Sequence, residues 1–555
     1  MYTEYCISYS GITDEESSIL SSIIESRISD RCCAKPEGNN NIIHLVVSTG
    51  FSSEGYRIDD AENGLTISSG SFKGILYGVG RFLHESQYTT EGFIPLSFRG
   101  TSDPDSSFRG VYFANHFHNW YHISSEEKLQ KYIEDIALWG INSLILVFPI
   151  INLENLENEE AMTSIENINI LSRNAKRVGM KVGIGIVPNQ DFRFPRTEFL
   201  AEPNVDQYGR RGNNGNNLCI SKPGCIDYLK ELHTRVGDKL KTASIDYIVS
   251  WPYDEGGCGC SECSPWGANG FIRITKVMME AIRSSLPEAE LIMSTWAFDT
   301  PHQGEWDGFA REISVDSDWI SYIVSDSHTN YPEYPLNNPV PGNKPLLNYP
   351  EISMWGLFPW GGFGANPLPK RLEILWNQVK QVVDGGYPYS EGIYDDINKV
   401  IVSGFYWDKN TSSEKTLRNY INYEFGHSVT KEVLELISLI EKNHTLFAEK
   451  QEIDFAAFNT ALALAHQIDD MMSSPAKSSW RWRILFLRAV LDNERYSRFL
   501  EGDIEGSPNE IWIKAVNGND TAKAALEELL HIYGFEDVDH SADPYHLWVR
   551  PPFGG

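Results

Sequence analysis

The sequence predicts an α/β protein built on a (β/α)8 barrel, with a small α/β module before it and a helical segment after it. Three observations lead there. From Phe108, eight short apolar runs alternate with helical patterns over about 300 residues. Ahead of them, Thr101-Ser-Asp-Pro-Asp-Ser-Ser is a polar linker of the kind found at boundaries. After Ser413 strand signals fade and helical periodicity takes over. The expected division is 1–100, 101–410 and 411–555.

In the first segment, Asn41–Ser48 is rich in β-branched residues and reads as a strand. Gly55-Tyr-Arg-Ile and Gly64-Leu-Thr-Ile read as two more, joined by turn residues. Gly70–Leu83 follows as a helix, with Ile75, Val79, Phe82 and Leu83 on one face. The eight barrel strands are then Gly110–Ala114, Leu144–Pro149, Lys181–Val187, Ile245–Trp251, Glu290–Trp296, Trp319–Ser325, Pro345–Tyr349 and Tyr387–Tyr394. Leu129, Tyr132, Ile133 and Ile136 mark one intervening helix; Lys276–Ile282 and Leu372–Val383 are others. Pro332, Pro335, Pro339 and Pro341 predict a long loop between strands six and seven. A doubly wound sheet is the alternative, but no glycine-rich phosphate turn follows an early strand. Glu414–Phe425, Lys431–Phe447, Phe455–Met472, Trp480–Phe499 and Thr521–Tyr533 read as the closing helices, and Trp480-Arg-Trp-Arg483 as packing within them.

Composition narrows the function. With 41% hydrophobic and 22% charged residues the chain is an ordinary globular one. Acidic residues outnumber basic ones 76 to 47, a net charge of −29, which argues against nucleic acid or an anionic membrane as partner. No apolar run is long enough to span a bilayer. The first residues carry no basic start and no apolar core of a secretory leader, so a cytoplasmic protein is expected. Eight cysteines are too few for a disulfide scaffold. Aromatic residues make up 12%, and many stand in Gly/Pro/Asn-rich stretches, where they suit a flat, uncharged ligand such as a sugar. An oligosaccharide or glycoside is therefore the expected partner, and the oligomeric state, a homo-oligomer included, stays open.

Barrel chemistry sits at the C-terminal ends of strands. Those ends carry Asn115-His-Phe-His-Asn-Trp120, Pro188-Asn-Gln-Asp191, Tyr253-Asp-Glu-Gly-Gly257, Trp296 with Asp299, Asp326 with His328, Asn348–Glu351, and Tyr389-Ser-Glu391. Any one could be a cap or a turn. A polar or aromatic cluster at nearly every end is more than loops need for solubility. Asp254-Glu255 supplies adjacent carboxylates flanked by Trp251, Pro252 and Tyr253, and apolar walls raise a carboxyl pKa, as a proton donor requires. Glycoside hydrolysis needs such a donor and a second acidic group, for which Glu391 stands on a separate strand. His116, Asn189, Trp296, Tyr349, Trp360 and Tyr389 are the expected sugar contacts. His116 and His118 share a face if strand one runs on, so a metal or a core carbonyl is the rival reading for them. The stretch Trp355–Ala365, which contains Trp360, is a sugar platform, a lid or a packed plug.

Gly55-Tyr-Arg-Ile, Gly74-Ile-Leu-Tyr-Gly, Ser107-Phe-Arg-Gly-Val111 and Asp254-Glu255 together resemble glycoside hydrolase family 20, the β-N-acetylhexosaminidases, over residues 40–400. The family 67 α-glucuronidases are similar in architecture. The resemblance implies that Arg109 binds sugar hydroxyls and that Asp254 orients the substrate's acetamido group. It implies that Glu255 donates the proton and that Tyr389-Ser-Glu391 stands for the family's hydroxyl-gripping Trp-x-Glu. The chain departs from the family at Ser250-Trp-Pro-Tyr253 and at Asn115-His-Phe-His, which places it beside family 20 rather than within it. The expected function is exo-acting glycoside hydrolysis with substrate-assisted retention. Direct use of Glu255 and Glu391, on a neutral sugar or a uronic acid, is the alternative. A non-catalytic carbohydrate-binding protein is the rival from another class, although binding alone has no need of an apolar-flanked acid. Arg109, Asp254, Glu255, Trp296, Tyr349 and Glu391 are expected to converge on one pocket.

No cofactor is expected in catalysis. Cys258-Gly-Cys260-Ser-Glu-Cys263, with Cys219 upstream, offers four thiols at a density that suits tetrahedral zinc. The spacing is similar to the zinc cluster of family 42 β-galactosidases. Such an ion would be structural, because four protein ligands leave no open position. Reduced cysteines in a tight loop are the alternative.

Overall fold

The computed structural model describes residues 1–38, 40–116, 119–202, 216–253, 257–299, 304–327, 331–353, 366–443, 454–500 and 519–534, with Phe455 and residues 495–500 described by backbone alone. The first layer is a five-stranded sheet of β1 (Cys6–Ser10), β2 (Ile42–Val47), β3 (Tyr56–Ala61) and β4 (Gly64–Ser69), completed beyond the hairpin β5 (Gln87–Tyr88) and β6 (Phe93–Ile94) by β7 (Gly100–Ser102). Its order is β1-β2-β4-β3-β7. Helices α1 (Asp14–Ser29) and α2 (Phe72–Glu85) accompany it. The sequence reading found β2, β3, β4 and α2 and passed over β1 and α1. A signal for α1 was present: Thr13 and Glu16 close a reciprocal capping box at its start. Gly80 lets α2 lie directly on the barrel, since a Cβ there would stand 1.9 Å from the Leu138 carbonyl oxygen.

The barrel strands are β8 (Phe108–Phe113), β9 (Ser143–Val147), β10 (Lys181–Ile186), β11 (Tyr247–Ser250), β12 (Glu290–Ser294), β13 (Tyr322–Ser327) and β14 (Leu346–Pro350). The eighth is broken into β15 (Gly385–Gly386) and β16 (Tyr389–Ser390). All neighbours are parallel, and β15 pairs with both β14 and β8, so the sheet closes into a (β/α)8 barrel. β8 is buried along its whole length, as expected of a strand covered on both faces. Around the barrel run α3 (Trp120–Ile123), α4 (Glu126–Leu138), α5 (Glu159–Arg177), α6 (Cys225–Leu240), α7 (Gly270–Ile282), α8 (Glu305–Val315), α9 (Glu333–Asn337), α10 (Pro369–Val379) and α11 (Asp396–Trp407). The proline-rich link between strands six and seven thus holds the short helix α9 rather than loop alone. The chain continues through α12 (Ser413–Glu424), α13 (Thr430–Lys442), α14 (Phe455–Met471), α15 (Ser474–Lys477), α16 (Trp480–Leu500) and α17 (Asp520–Tyr533).

Aromatic rings fill the barrel's N-terminal end: Phe108 lies 5.5 Å from Tyr247, 5.4 Å from Tyr322 and 5.9 Å from Tyr387 between ring centres. With Phe108 inside, the period of two along β8 puts Tyr112 inside as well and turns Arg109 outward.

A buried ion network ties sheet, barrel and terminal helices together. Arg481 on α16 reaches Asp135 on α4 at 3.0 Å and Asp396 on α11 at 2.8 Å. Arg27 on α1 meets Asp135 at 2.8 Å, and Arg31 meets Glu424 on α12 at 2.9 Å. Among the described residues, no helix is long and apolar enough to cross a membrane.

Candidate active site

At the strand C-termini the barrel carries a continuous aromatic wall. Trp296, just past β12, lies 6.1 Å from Trp251, just past β11. Trp251 lies 5.1 Å from Tyr349 on β14. Tyr349 is 5.7 Å from Tyr112 and 6.1 Å from Tyr389, and Tyr112 is 5.3 Å from Tyr389. Five strand ends thus contribute to one surface. Trp296, Tyr349 and Tyr389 were expected here; Tyr112 was not, although its phase along β8 carried the signal. His116 stands beside Tyr112 with ring centres 6.3 Å apart. Burial pulls the His116 imidazole down to about 3, so it is neutral near pH 7.

Glu391 ends the wall. It is 1% exposed, and its carboxylate accepts a 2.6 Å hydrogen bond from the Tyr389 hydroxyl. Burial and the adjacent Glu391 charge push that hydroxyl well above its usual pKa, so it stays protonated and donates. The main chain under Glu391 is anchored from several sides. Tyr533 on α17 donates to the Glu391 carbonyl at 2.8 Å. The next carbonyl, Gly392, accepts from Tyr121 at 2.9 Å, from Ser390 at 3.2 Å and from the Lys399 ammonium. Lys399 is paired with Asp395 at 2.6 Å. Burial drives that carboxyl up and that ammonium down, and each offsets the effect on the other. Sequence inspection missed this cradle because its members lie on four separate elements. Glu351, just past β14, bridges to Tyr389 through the main chain, which joins the ends of the seventh and eighth strands.

A Cβ on Gly392 would sit 2.6 Å from the Tyr533 hydroxyl oxygen and 2.8 Å from its ring. Gly392→Ala is therefore expected to cost about 1–3 kcal/mol, the usual range for overpacking. Adding Tyr533→Phe should return part of it; denaturant midpoints of the two single variants and the double variant measure the coupling.

Asp254 and Glu255, together with Trp360, lie outside the described residues. Their flanks are described. Before the dipeptide, Tyr253 is fully buried and donates to Glu305, and the Pro252 carbonyl accepts from the Trp266 indole at 2.8 Å. After it, the Gly257 amide and carbonyl are both held by Asn189, at 3.3 and 3.0 Å.

Two expected sugar contacts require correction. Arg109 is fully buried near the start of β8, about 13 Å short of its C-terminal end by strand rise. It faces outward and donates to the Gly140 and Ser106 carbonyls at 2.8 Å each, and it pairs with Glu54 at 2.8 Å. It is a strut between the barrel and the first sheet, not a hydroxyl binder. Asn189 is also fully buried, and its amide nitrogen is used on the Leu218 and Gly257 carbonyls at 3.0 Å each. It positions the loop that follows the dipeptide and has no donor left for a sugar.

Beyond Gly257, Cys219, Cys258, Cys260 and Cys263 come together with all four sulfurs within 4.8 Å of one another. A hydrogen bond from Cys258 pulls the Cys263 thiol down to about 5, and the same bond pushes Cys258 up.

No family model matches the chain, and no curated protein matches it. Solved structures do match in fold. A family 89 glycoside hydrolase from Clostridium perfringens in complex with PUGNAc superposes with a TM-score of 0.62 at 11% identity, over 94% of this chain and 65% of the other. BtGH115A, a family GH115 4-O-methyl-α-glucuronidase, gives 0.58 at 10%, over 99% and 78%. The GH20 exo β-N-acetylglucosaminidase from Vibrio harveyi in complex with N-acetylglucosamine gives 0.50 at 11%, over 79% and 75%. The chain therefore has the barrel fold of glycoside hydrolases, the family 20 type among them, at a sequence distance that sets it apart from each.

Proposed function

We propose that the protein is an exo-acting glycoside hydrolase of the β-N-acetylhexosaminidase type, with Glu255 as the acid and base. The observation that carries this reading is the aromatic wall ending on the buried, tyrosine-bonded Glu391 at the mouth of the barrel. Aromatic faces suit the C–H faces of a sugar, and a carboxylate at the wall's edge suits its hydroxyls. Asp254 and Glu255 follow β11 in the chain, between residues pinned by Glu305 and by Asn189. In the proposed mechanism the substrate's acetamido oxygen attacks the anomeric carbon. Asp254 orients that group and takes up its developing charge. Glu255 protonates the departing oxygen and then removes a proton from the water that opens the cyclic intermediate. Trp296, Tyr349 and Tyr389 wall the sugar, and the neutral His116 stands edge-on to Tyr112. The similar fold of proteins solved with PUGNAc or N-acetylglucosamine supports an N-acetyl sugar as substrate.

The second reading makes Glu391 the nucleophile of a direct mechanism, on a neutral sugar or a uronic acid. Its burial at the barrel mouth opposite the β11 loop favours that reading. The two separate in one variant. With substrate assistance, Glu391→Gln costs about 1.5–3 kcal/mol in kcat/KM, the range for a charged hydrogen bond, and azide restores nothing. A thiazoline mimic of the cyclic intermediate then binds far more tightly than substrate. A nucleophilic Glu391 instead gives near-complete loss, azide rescue and labelling by a fluoro-sugar.

A further inference from the structure

We propose that Cys219, Cys258, Cys260 and Cys263 hold one zinc ion in a closed tetrahedral shell, and that this ion fixes the far side of the loop bearing Asp254 and Glu255. The geometry fits the ion. Zinc–sulfur bonds of about 2.3 Å put tetrahedral sulfurs about 3.8 Å apart. Cys219 and Cys260 have their sulfurs 3.6 Å apart, and the whole set falls within 4.8 Å. Cys258 and Cys263 are fully buried, Cys219 is 2% exposed and Cys260 is half-buried, so three of the four thiols are gathered inward.

The local backbone builds this cluster. From Cys260 to Cys263 the chain makes a tight turn in which the Cys260 carbonyl accepts from the amides of Cys263 and Ser264, at 3.1 and 2.9 Å. That turn sets two thiols side by side. Cys219 arrives from another segment, its amide bonded to the Phe199 carbonyl at 2.7 Å. The Ser221 hydroxyl lies 3.0 Å from the Cys219 sulfur and 3.2 Å from the Cys260 sulfur, placed to donate to thiolates. On binding, those of the four thiols that are still protonated give up their protons and the dication takes four thiolates, with no change of oxidation state.

Asn189 joins the cluster to the dipeptide loop. Its amide spans the Leu218 carbonyl, next to Cys219, and Gly257, next to Cys258. The two segments that bring ligands are thus stitched one residue away from the ligands themselves. The metal's effect on catalysis rests on the hydrolase reading; its presence does not.

The test uses the full chain purified without added metal. Native mass spectrometry and elemental analysis should find one zinc per chain. Blocking thiols with a mercurial should release that zinc into a chromogenic chelator as four thiols react. Replacing zinc with cobalt should give the strong visible bands of a tetrahedral tetrathiolate. Ser221→Ala, which leaves all four ligands in place, should keep the zinc; Cys260→Ser should lose it. If the Cys260 variant does not fold, the mercurial titration of the native chain still decides. Metal-free folded protein with all thiols titrating at once would overturn the proposal, as would a disulfide within the set or iron in place of zinc. Sugar hydrolysis by metal-free protein would sink the metal alone; full zinc occupancy without hydrolysis on any glycoside would sink the function alone.

Discussion

Glu255→Gln is expected to lower kcat/KM on glycosides with poor, alkyl leaving groups by about 10²–10⁴-fold, the usual contribution of a positioned general acid. On aryl glycosides with strongly acidic phenols the loss in the glycosylation step should be under about tenfold, because such a leaving group departs without a proton. A plot of log rate against leaving-group pKa should therefore be steep in the variant and shallow in the wild type. Equal loss on every substrate would remove Glu255 from the acid role. The expectation depends on the carboxyl staying protonated before attack. On the two flanks of the dipeptide, Tyr253 is fully buried and bonded to Glu305, and Gly257 is held by Asn189; a proton donor of this kind needs apolar, fixed surroundings.

Arg109→Met should destabilise the fold by about 3–5 kcal/mol, the cost of breaking a buried, hydrogen-bonded ion pair. The variant keeps much of the side-chain volume but strands the Gly140 and Ser106 carbonyls. Burial alone raises the Glu54 carboxyl, yet Arg109 and Lys73 outweigh it and hold the group below its ordinary value. A lowered folded pKa stabilises above the unfolded value of about 4.3 and is lost as pH falls through the folded one. The gap between wild type and variant should accordingly narrow in acid. KM measured well below the unfolding temperature should stay within about twofold. A large rise in KM with unchanged stability would return Arg109 to the sugar site.

These two residues also mark what the sequence makes legible. The seven continuous barrel strands announce themselves because strands buried on both faces read as unbroken apolar runs. The eighth is blurred because glycines and Pro388 divide it into two short pairs. β1, Cys-Ile-Ser-Tyr-Ser, is too short and polar to register. Arg109 was drawn to the site by motif, while the phase of β8 relative to Phe108 already turned it away. Asn189 shows another limit: a strand-end polar residue can spend every donor on loop carbonyls, and only coordinates reveal it. The four cysteines were legible because thiols are rare and three of them, Cys258, Cys260 and Cys263, stand within six residues. The Lys399, Tyr121 and Tyr533 cradle was not, because its hydrogen bonds span up to 271 positions.

The bond from Tyr533 to the Glu391 carbonyl sets a schedule for the newborn chain. Tyr533 lies 142 positions beyond Glu391. At about 5–20 residues per second, the ribosome needs roughly 7–30 s to get from one to the other. The barrel can close in that interval, yet the peptide that carries Glu391 still lacks its support from α17. A nascent protein would then pass through a stage in which the aromatic wall exists in outline while the peptide bearing Glu391 still awaits its bond from α17, and synthesis itself would time the completion of the candidate site.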